Sequence, residues 1–352
     1  MSTSQHMRRI MKIENWPAAD RARWASLFVR GGPLDRDGPR VGWCGCTRTT
    51  FAESYGRWLM YLARIDQLDP DLAPCARITG ERVRLYIDHL DESVTSVTLA
   101  GLLDRLSLVA RSFDPECDLR WLVNVVQRLR ARAQPRLRPQ PLVSKSVYRD
   151  ARAHMTAADT IDDPKMRAVA FRNGLVIAML TAVPIRSMNL AMIEIGRHLT
   201  RRGAEYWLSF EPQEMKNRRP FECPLPVDLV EFIDRYIQVH RPALTGGKST
   251  RLFINIRGQP ISKAGLSERV RTTTRRLLGR SMNIHDFRRM AATNIAIYDP
   301  GHVGIATPLL GHVSPQVTAR HYNLARGLEA GRTVGAALRE MQRECPDMKL
   351  PL

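Results

Sequence analysis

Three prolines, Pro135, Pro139 and Pro141, fall within a short stretch that also holds Arg136 and Arg138. A helix cannot run through such a stretch, because each proline lacks an N–H and collides with the preceding turn. The segment reads as a semi-rigid connector, and it cuts the 352 residues into two pieces of different character. At about 150 residues per domain, that length suits two domains. The expected plan is a loose tail over 1–17, a helical domain over 18–134, a linker over 135–142 and a mixed domain over 143–352.

The first piece carries only helical periodicity. A helix starts after Pro17 and runs through Arg23, Trp24 and Phe28. Five glycines and two prolines over 31–46 mark a loop. Phe51, Tyr55, Trp58, Leu59 and Leu62 then recur at helical spacing between Thr47 and Ile65. Thr79 is a candidate N-cap, although Arg82 stands where a capping box would need Glu or Gln. Val83, Leu85, Tyr86, Ile87 and Leu90 outline the helix that follows, and further helices fit 96–113 and 119–133.

In the second piece, helices fit 144–155 and 165–182, and two short β-rich runs follow at 206–210 and 221–225. A charged turn from Glu214 to Pro220 joins them as a hairpin. Helices resume at 228–240, 263–278, 284–298 and 303–310. A last amphipathic segment, 333–343, carries Val334, Ala337, Leu338 and Met341. The predicted fold is mainly α with a small β-hairpin or sheet: an all-helical N-terminal domain and an α+β C-terminal domain.

Lys and Arg number 54 against 35 Asp and Glu, a formal charge of +19. Such a balance points to a polyanion, most often nucleic acid. Arginine-favouring codon usage is the competing explanation, since only seven of the cations are lysines. No apolar run reaches the length of a membrane span, and no secretory pattern opens the chain, so a cytoplasmic location without membrane partners is expected. Cys44 and Cys46 form a C-x-C, but no second pair completes a zinc site. All six cysteines are expected to be ordinary thiols, with no metal and no cofactor.

Four pieces of the second part hold candidate chemistry. Arg186 follows a nearly uncharged apolar helix, in Thr181-Ala-Val-Pro-Ile-Arg186. Lys216 lies in the hairpin turn, with Arg218 and Arg219 after it and Pro224-Leu225-Pro226 beyond. His285 and Arg288 are three apart, hence on one helix face. Gly311-His312 precedes Arg320-His321-Tyr322. Singly, each has an ordinary structural explanation: a buried ion pair, a solvated turn, a surface pair, packing.

In this order the pieces resemble the tyrosine recombinase, or phage-integrase, family of site-specific DNA recombinases. The resemblance covers about residues 165–330. It implies that Arg186, Lys216, His285, Arg288, His312 and the nucleophile Tyr322 form one active site, and that the helical first part is a core-binding domain. There are two departures: Asn189 stands where an acidic residue is common, and Tyr322 lies ten residues after His312 where nine is commoner.

The implied reaction is strand cleavage and rejoining through a 3′-phosphotyrosine, serving a mobile element, without metal or other cofactor. The implied partners are double-stranded recombination sites, a homotetramer assembled on DNA, and accessory DNA-bending or directionality factors. Phosphate contacts are expected from Arg128, Arg130, Arg132, Arg136 and Arg138 near the linker, from Arg218 and Arg219, and from Arg269, Arg271, Arg275 and Arg276. A topoisomerase IB-like or resolving enzyme on the same fold, and a catalytically silent DNA-binding accessory protein, remain alternatives.

Overall fold

The computed structural model describes residues 10–91, 93–134, 139–245 and 249–298. The chain divides into two compact units, Met1–Arg138 and Pro139–Leu352. Among the described residues, no helix is long and apolar enough to cross a membrane.

The first unit is built from helices α1 (Ala18–Ser26), α2 (Gly45–Arg64), α3 (Gly80–Asp91), α4 (Ser96–Phe113) and α5 (Arg120–Arg132). The periodicity of α2 is the reason it packs: Tyr55, Trp58, Leu59 and Leu62 line one face and are fully buried. At the start of α4, the Thr95 hydroxyl accepts from the Thr98 N–H at 3.3 Å, satisfying one orphan donor. Trp16, Trp24, Tyr55 and Phe113 interlock edge to face at the centre of the core.

A charge network is sealed inside this unit. Asp20 and Arg77 are both wholly buried. Arg77 Nη1 donates to both Asp20 carboxylate oxygens at 2.8 Å, and the Tyr55 hydroxyl donates to Oδ1 at 2.5 Å. Burial and then the Asp20 charge push the Tyr55 phenol well above its usual pKa, so it stays a donor. Arg77 also donates to the carbonyls of Asp69 and Leu72, closing the loop before α3.

Three expectations for this unit need correction. Residues 10–17 are not a loose tail: Met11 N–H donates to Gly56 O at 2.9 Å, and Trp16 is buried. Gly56 permits that approach, since a Cβ there would meet Met11 O at 2.2 Å. The first helix ends at Ser26, before Phe28. Cys75 and Cys117 are not free thiols but form a disulfide, with Cα atoms 6.1 Å apart. The two lie 42 residues apart in separate loops, and the packing of α2 and α3 on α4 brings them together.

The second unit opens with α6 (Ser144–Ala157) and α7 (Pro164–Ala182). Asp163 caps α7 by accepting from Met166 N–H at 2.8 Å, and Pro164 occupies the first turn, where no N–H is needed. Buried residues surround α7 on nearly every side, as expected of a central helix. Gly174 lets α6 lie against it, since a Cβ there would meet Met155 Cγ at 2.6 Å. The short helix α8 (Ser187–Met192) follows, then strands β1 (Leu199–Arg202), β2 (Glu205–Phe210) and β3 (Phe221–Pro224).

The strands form an antiparallel sheet in the order β1-β2-β3, with Leu199 opposite Leu208 and Phe210 opposite Phe221. Tyr206, Leu208 and Phe210 face the core, giving the period-two pattern of a half-buried strand. Then come α9 (Val230–Arg235), α10 (Pro242–Thr245), α11 (Lys263–Leu278) and α12 (Ile284–Tyr298). Helix α11 starts on Ser262, whose hydroxyl accepts from Gly265 N–H, and stops at Gly279 in the left-handed conformation.

The fold is mainly helical with a small antiparallel sheet, as expected, but the sheet has a third strand. β1 escapes sequence patterning because Leu199 is its one apolar residue. The helix expected over 228–240 is broken into a 3₁₀ turn at Val227–Leu229, α9, and a π turn at Tyr236–His240. Tyr236 and His240 are buried there, one donating to Leu252 O at 3.1 Å and the other stacked on Phe171. Part of the expected linker belongs to this unit: Pro139 O accepts from Arg289, and Leu142 O accepts from Asn294. The helices expected over 303–310 and 333–343 lie outside the described residues.

Arg77→Met leaves the Asp20 carboxylate buried without its cation. It should destabilise the first unit by about 3–5 kcal/mol in urea unfolding followed by tryptophan fluorescence. Pairing it with Asp20→Leu should recover most of the loss; a single substitution with no effect would show that the network does not hold the unit.

Candidate active site

Three chain segments meet at the corner between α7 and α8. After Ala182 the helix stops, because Pro184 has no N–H to continue it, and the chain turns outward. Arg186 is the N-cap residue of α8, in extended conformation with φ −72° and ψ 154°. Its side chain is half-buried, and burial lowers its pKa.

Arg288 sits one turn into α12 and is only 6% exposed. Its Nη1 donates to Pro184 O at 2.7 Å, fastening α12 to the corner that carries Arg186. Burial, and then the neighbouring Arg186 charge, lower the Arg288 pKa to about 10. The guanidinium remains a cation at neutral pH, so two arginines 102 positions apart in sequence form one electropositive spot. His285, on the same helix in its first turn, is exposed.

Lys216 lies in the connection 211–220 between β2 and β3 and is exposed. The base of that connection is fixed. Pro212–Glu214 form a 3₁₀ turn, and Met215 is buried in the core. Asn189 of α8 is buried, and its Nδ2 donates to Glu214 O at 3.1 Å. The segment bearing Lys216 is thereby tied to the helix that starts at Arg186. The Glu214 side chain accepts from Glu211 N–H at 3.0 Å, meets His198 Nε2 at 3.1 Å and pairs with Arg197. Burial pushes the Glu214 carboxyl up, but these partners outweigh it and hold the pKa below the usual carboxylate value.

Four of the six expected catalytic residues thus lie on described elements. Arg186, Arg288 and the base of the Lys216 turn are drawn together by the bonds to Pro184 O and Glu214 O, and His285 shares the helix of Arg288. His312 and Tyr322 lie outside the described residues. Among the described residues, no three His, Cys, Asp or Glu side chains are grouped to hold a metal ion. Sequence reading missed Pro184, His198 and Glu214. Only Asn189 carried a signal, as the unusual residue three positions after Arg186.

The expected DNA-contacting arginines divide by geometry. Arg128, Arg130 and Arg132 are exposed on α5, but Arg130 pairs with Asp104 at 2.7 Å. Arg136 and Arg138 lie outside the described residues. Arg218 and Arg219 are exposed beside Lys216, with Arg218 at φ 54°. Arg269, Arg271, Arg275 and Arg276 are all exposed on α11. Helical periodicity puts Arg269 and Arg276 on one line and Arg271 with Arg275 on another. Arg276 contacts His154 at 3.0 Å, and Arg271 pairs with Glu268 at 3.3 Å.

The phage integrase family model matches residues 149–327, half of the chain and all of the corner just described. The chain belongs to this family. Its fold is that of the tyrosine recombinases. The XerH site-specific recombinase, solved on its difH substrate, matches with a TM-score of 0.57 at 15% identity, over 92% of this chain and 98% of that one. The Tn1549 transposon integrase, solved with transposon right end DNA, matches with a TM-score of 0.53 at 12% identity, over 84% and 96%. Lambda integrase on a core site matches with a TM-score of 0.50 at 16% identity, over 81% and 90%. No curated protein sequence matches the chain. Family and fold together support site-specific recombination.

The lowered pKa of Arg288 has a consequence for stability. Its folded value lies below the ordinary guanidinium value, so the fold disfavours the cation, and at neutral pH that cost is present in full. Arg288→Met removes the charge as well as the guanidinium's contacts, the bond to Pro184 among them. The variant should melt at or above the parent temperature in calorimetry, and added phosphate should stabilise it less than the parent. A drop of many degrees would mean that the Pro184 bond outweighs the burial cost.

Proposed function

We propose that this chain is an active site-specific recombinase that cleaves and rejoins double-stranded DNA through a 3′-phosphotyrosine, serving a mobile genetic element. The observation that carries the reading is the convergence of Arg186, Arg288 and the Lys216 turn on one corner of the second unit. Relatives of the same fold are described on a difH substrate, on a core site and on transposon end DNA, which supports DNA as the partner.

In this reading the Tyr322 hydroxyl attacks a backbone phosphorus. The P–O bond to the 5′-oxygen breaks, and the 3′-phosphate stays on the tyrosine. The bond energy is kept in the ester, so a later attack by a 5′-hydroxyl reverses the step without a nucleotide cofactor. Negative charge gathers on the non-bridging oxygens as the bond forms. Arg186 and Arg288 supply planar, permanently charged donors for them. Donors placed in advance at such a charge commonly contribute about 3–4 kcal/mol each. Lys216 protonates the leaving 5′-oxygen. His285 assists proton transfer near the tyrosine, and His312 hydrogen-bonds the phosphate.

The first unit acts as the core-binding domain, and exposed arginines such as Arg128 and Arg132 hold phosphates without reading sequence. Recombination on paired sites proceeds in a homotetramer, with accessory factors setting direction. Activity on two defined sites, with no relaxation of supercoiled plasmid lacking them, distinguishes this reading from a topoisomerase IB-like one.

Tyr322→Phe should bind site DNA yet form no covalent adduct on a nicked suicide substrate; an adduct with that variant removes the assignment. Lys216→Ala should slow cleavage by about 100-fold or more on ordinary DNA. A 5′-bridging phosphorothiolate, whose leaving group needs no proton, should restore most of the rate.

A further inference from the structure

Glu214 is the most heavily tied residue of the β2–β3 connection. It lies two positions before Lys216, and its partners come from three elements. Its carboxylate accepts from Glu211 N–H at the end of β2. The same carboxylate meets His198, which is 1% exposed and stacked on Phe210 of β2. His198 Nδ1 accepts from Glu194 N–H at 3.1 Å, so Nε2 carries the proton and donates to Glu214 Oε1. Arg197 closes the exposed side. The Glu214 carbonyl meanwhile accepts from buried Asn189 on α8. An acidic side chain at 189 could not make that last bond, because a carboxylate has no hydrogen to give.

None of these groups reaches the exposed end of Lys216. Together they stop the chain from shifting where it leaves the sheet. They hold the sheet side through His198 and the α8 side through Asn189, the helix that begins at Arg186. A proton donor on a long exposed side chain is effective only if its anchor keeps it within reach of the leaving oxygen.

We infer that Glu214, held by His198 and Asn189, is a positioning residue that sets the reach of Lys216 toward the scissile phosphate. This rests on the general-acid reading of Lys216. Glu214→Ala removes the anchor on the sheet side. Glu214→Gln keeps one acceptor oxygen, enough for Glu211 N–H or for His198 but not for both, since they use different carboxylate oxygens. Asn189→Leu removes the tie on the α8 side while filling a similar volume.

Two measurements on the full chain test the inference. The first is trypsin cleavage after Lys216 and Arg218 in the absence of DNA, since Arg219 precedes Pro220 and is no trypsin site. Glu214→Ala and Asn189→Leu should speed cleavage at these positions by about ten-fold, with other sites unchanged, because local opening of the turn becomes easier. Glu214→Gln, which keeps one of the two bonds, should fall between Glu214→Ala and the parent. The second is covalent cleavage of ordinary against 5′-phosphorothiolate DNA, with Lys216→Ala alongside. Glu214→Ala should be at least about ten-fold slow on ordinary DNA and near the parent rate on the phosphorothiolate. Equal slowing on both substrates, or unchanged proteolysis at the turn, overturns the positioning role. If Lys216→Ala itself is not rescued while the turn does open, the general-acid reading fails and Glu214 is left as an anchor of the loop alone.

Discussion

The carbonyl oxygen of Pro184 is the point on which the site depends. It lies just past the end of a buried helix, where the chain has run out of intrahelical partners. Arg288 takes it at 2.7 Å. That bond ties α12, which carries His285 and Arg288, to the corner that carries Arg186. Proline contributes twice: it stops α7, so that Arg186 can stand as the cap of a new helix, and it leaves a carbonyl directed away from any helical ladder. The tie between Asn189 and Glu214 adds the third segment on the other side of α8.

This arrangement works against local stability. Two guanidiniums are crowded where water is scarce, and the Arg288 pKa falls to about 10 in consequence. The first unit handles a buried arginine differently. Arg77 is neutralised by Asp20, and its remaining donors go to loop carbonyls. Arg288 lies close enough to Arg186 for the second charge to add to the effect of burial. A cation held beside another cation favours an approaching anion.

Legibility in the sequence followed length and strength of pattern. Helices α4, α11 and α12 span the residues expected of them, 96–113, 263–278 and 284–298, because each is long. β1 has a single apolar residue, and α8 has six residues in all, so neither carries a measurable period. The π turn at Tyr236–His240 came from tertiary demand: a tyrosine seeking Leu252 O and a histidine seeking the Phe171 ring. The Cys75–Cys117 bond was hidden because 42 residues separate the partners and nothing local marks them. At the site, Arg186, Lys216, His285 and Arg288 were legible by type and order. The groups that hold them were not, since a main-chain oxygen such as Pro184 O leaves no trace in a side-chain alphabet.

Gly174 sets a mechanical limit on the second unit. With Met155 Cγ 2.6 Å from where a Cβ would stand, α6 and α7 touch backbone to side chain with no spare volume. A helix pair packed so closely can neither slide nor roll without a steric collision, so it behaves as an anvil. Whatever rearrangement accompanies a reaction here must be taken up by other parts, such as the exposed far end of the 211–220 connection. Lys216 is carried on that connection, whereas Arg186 follows within four residues of the end of α7.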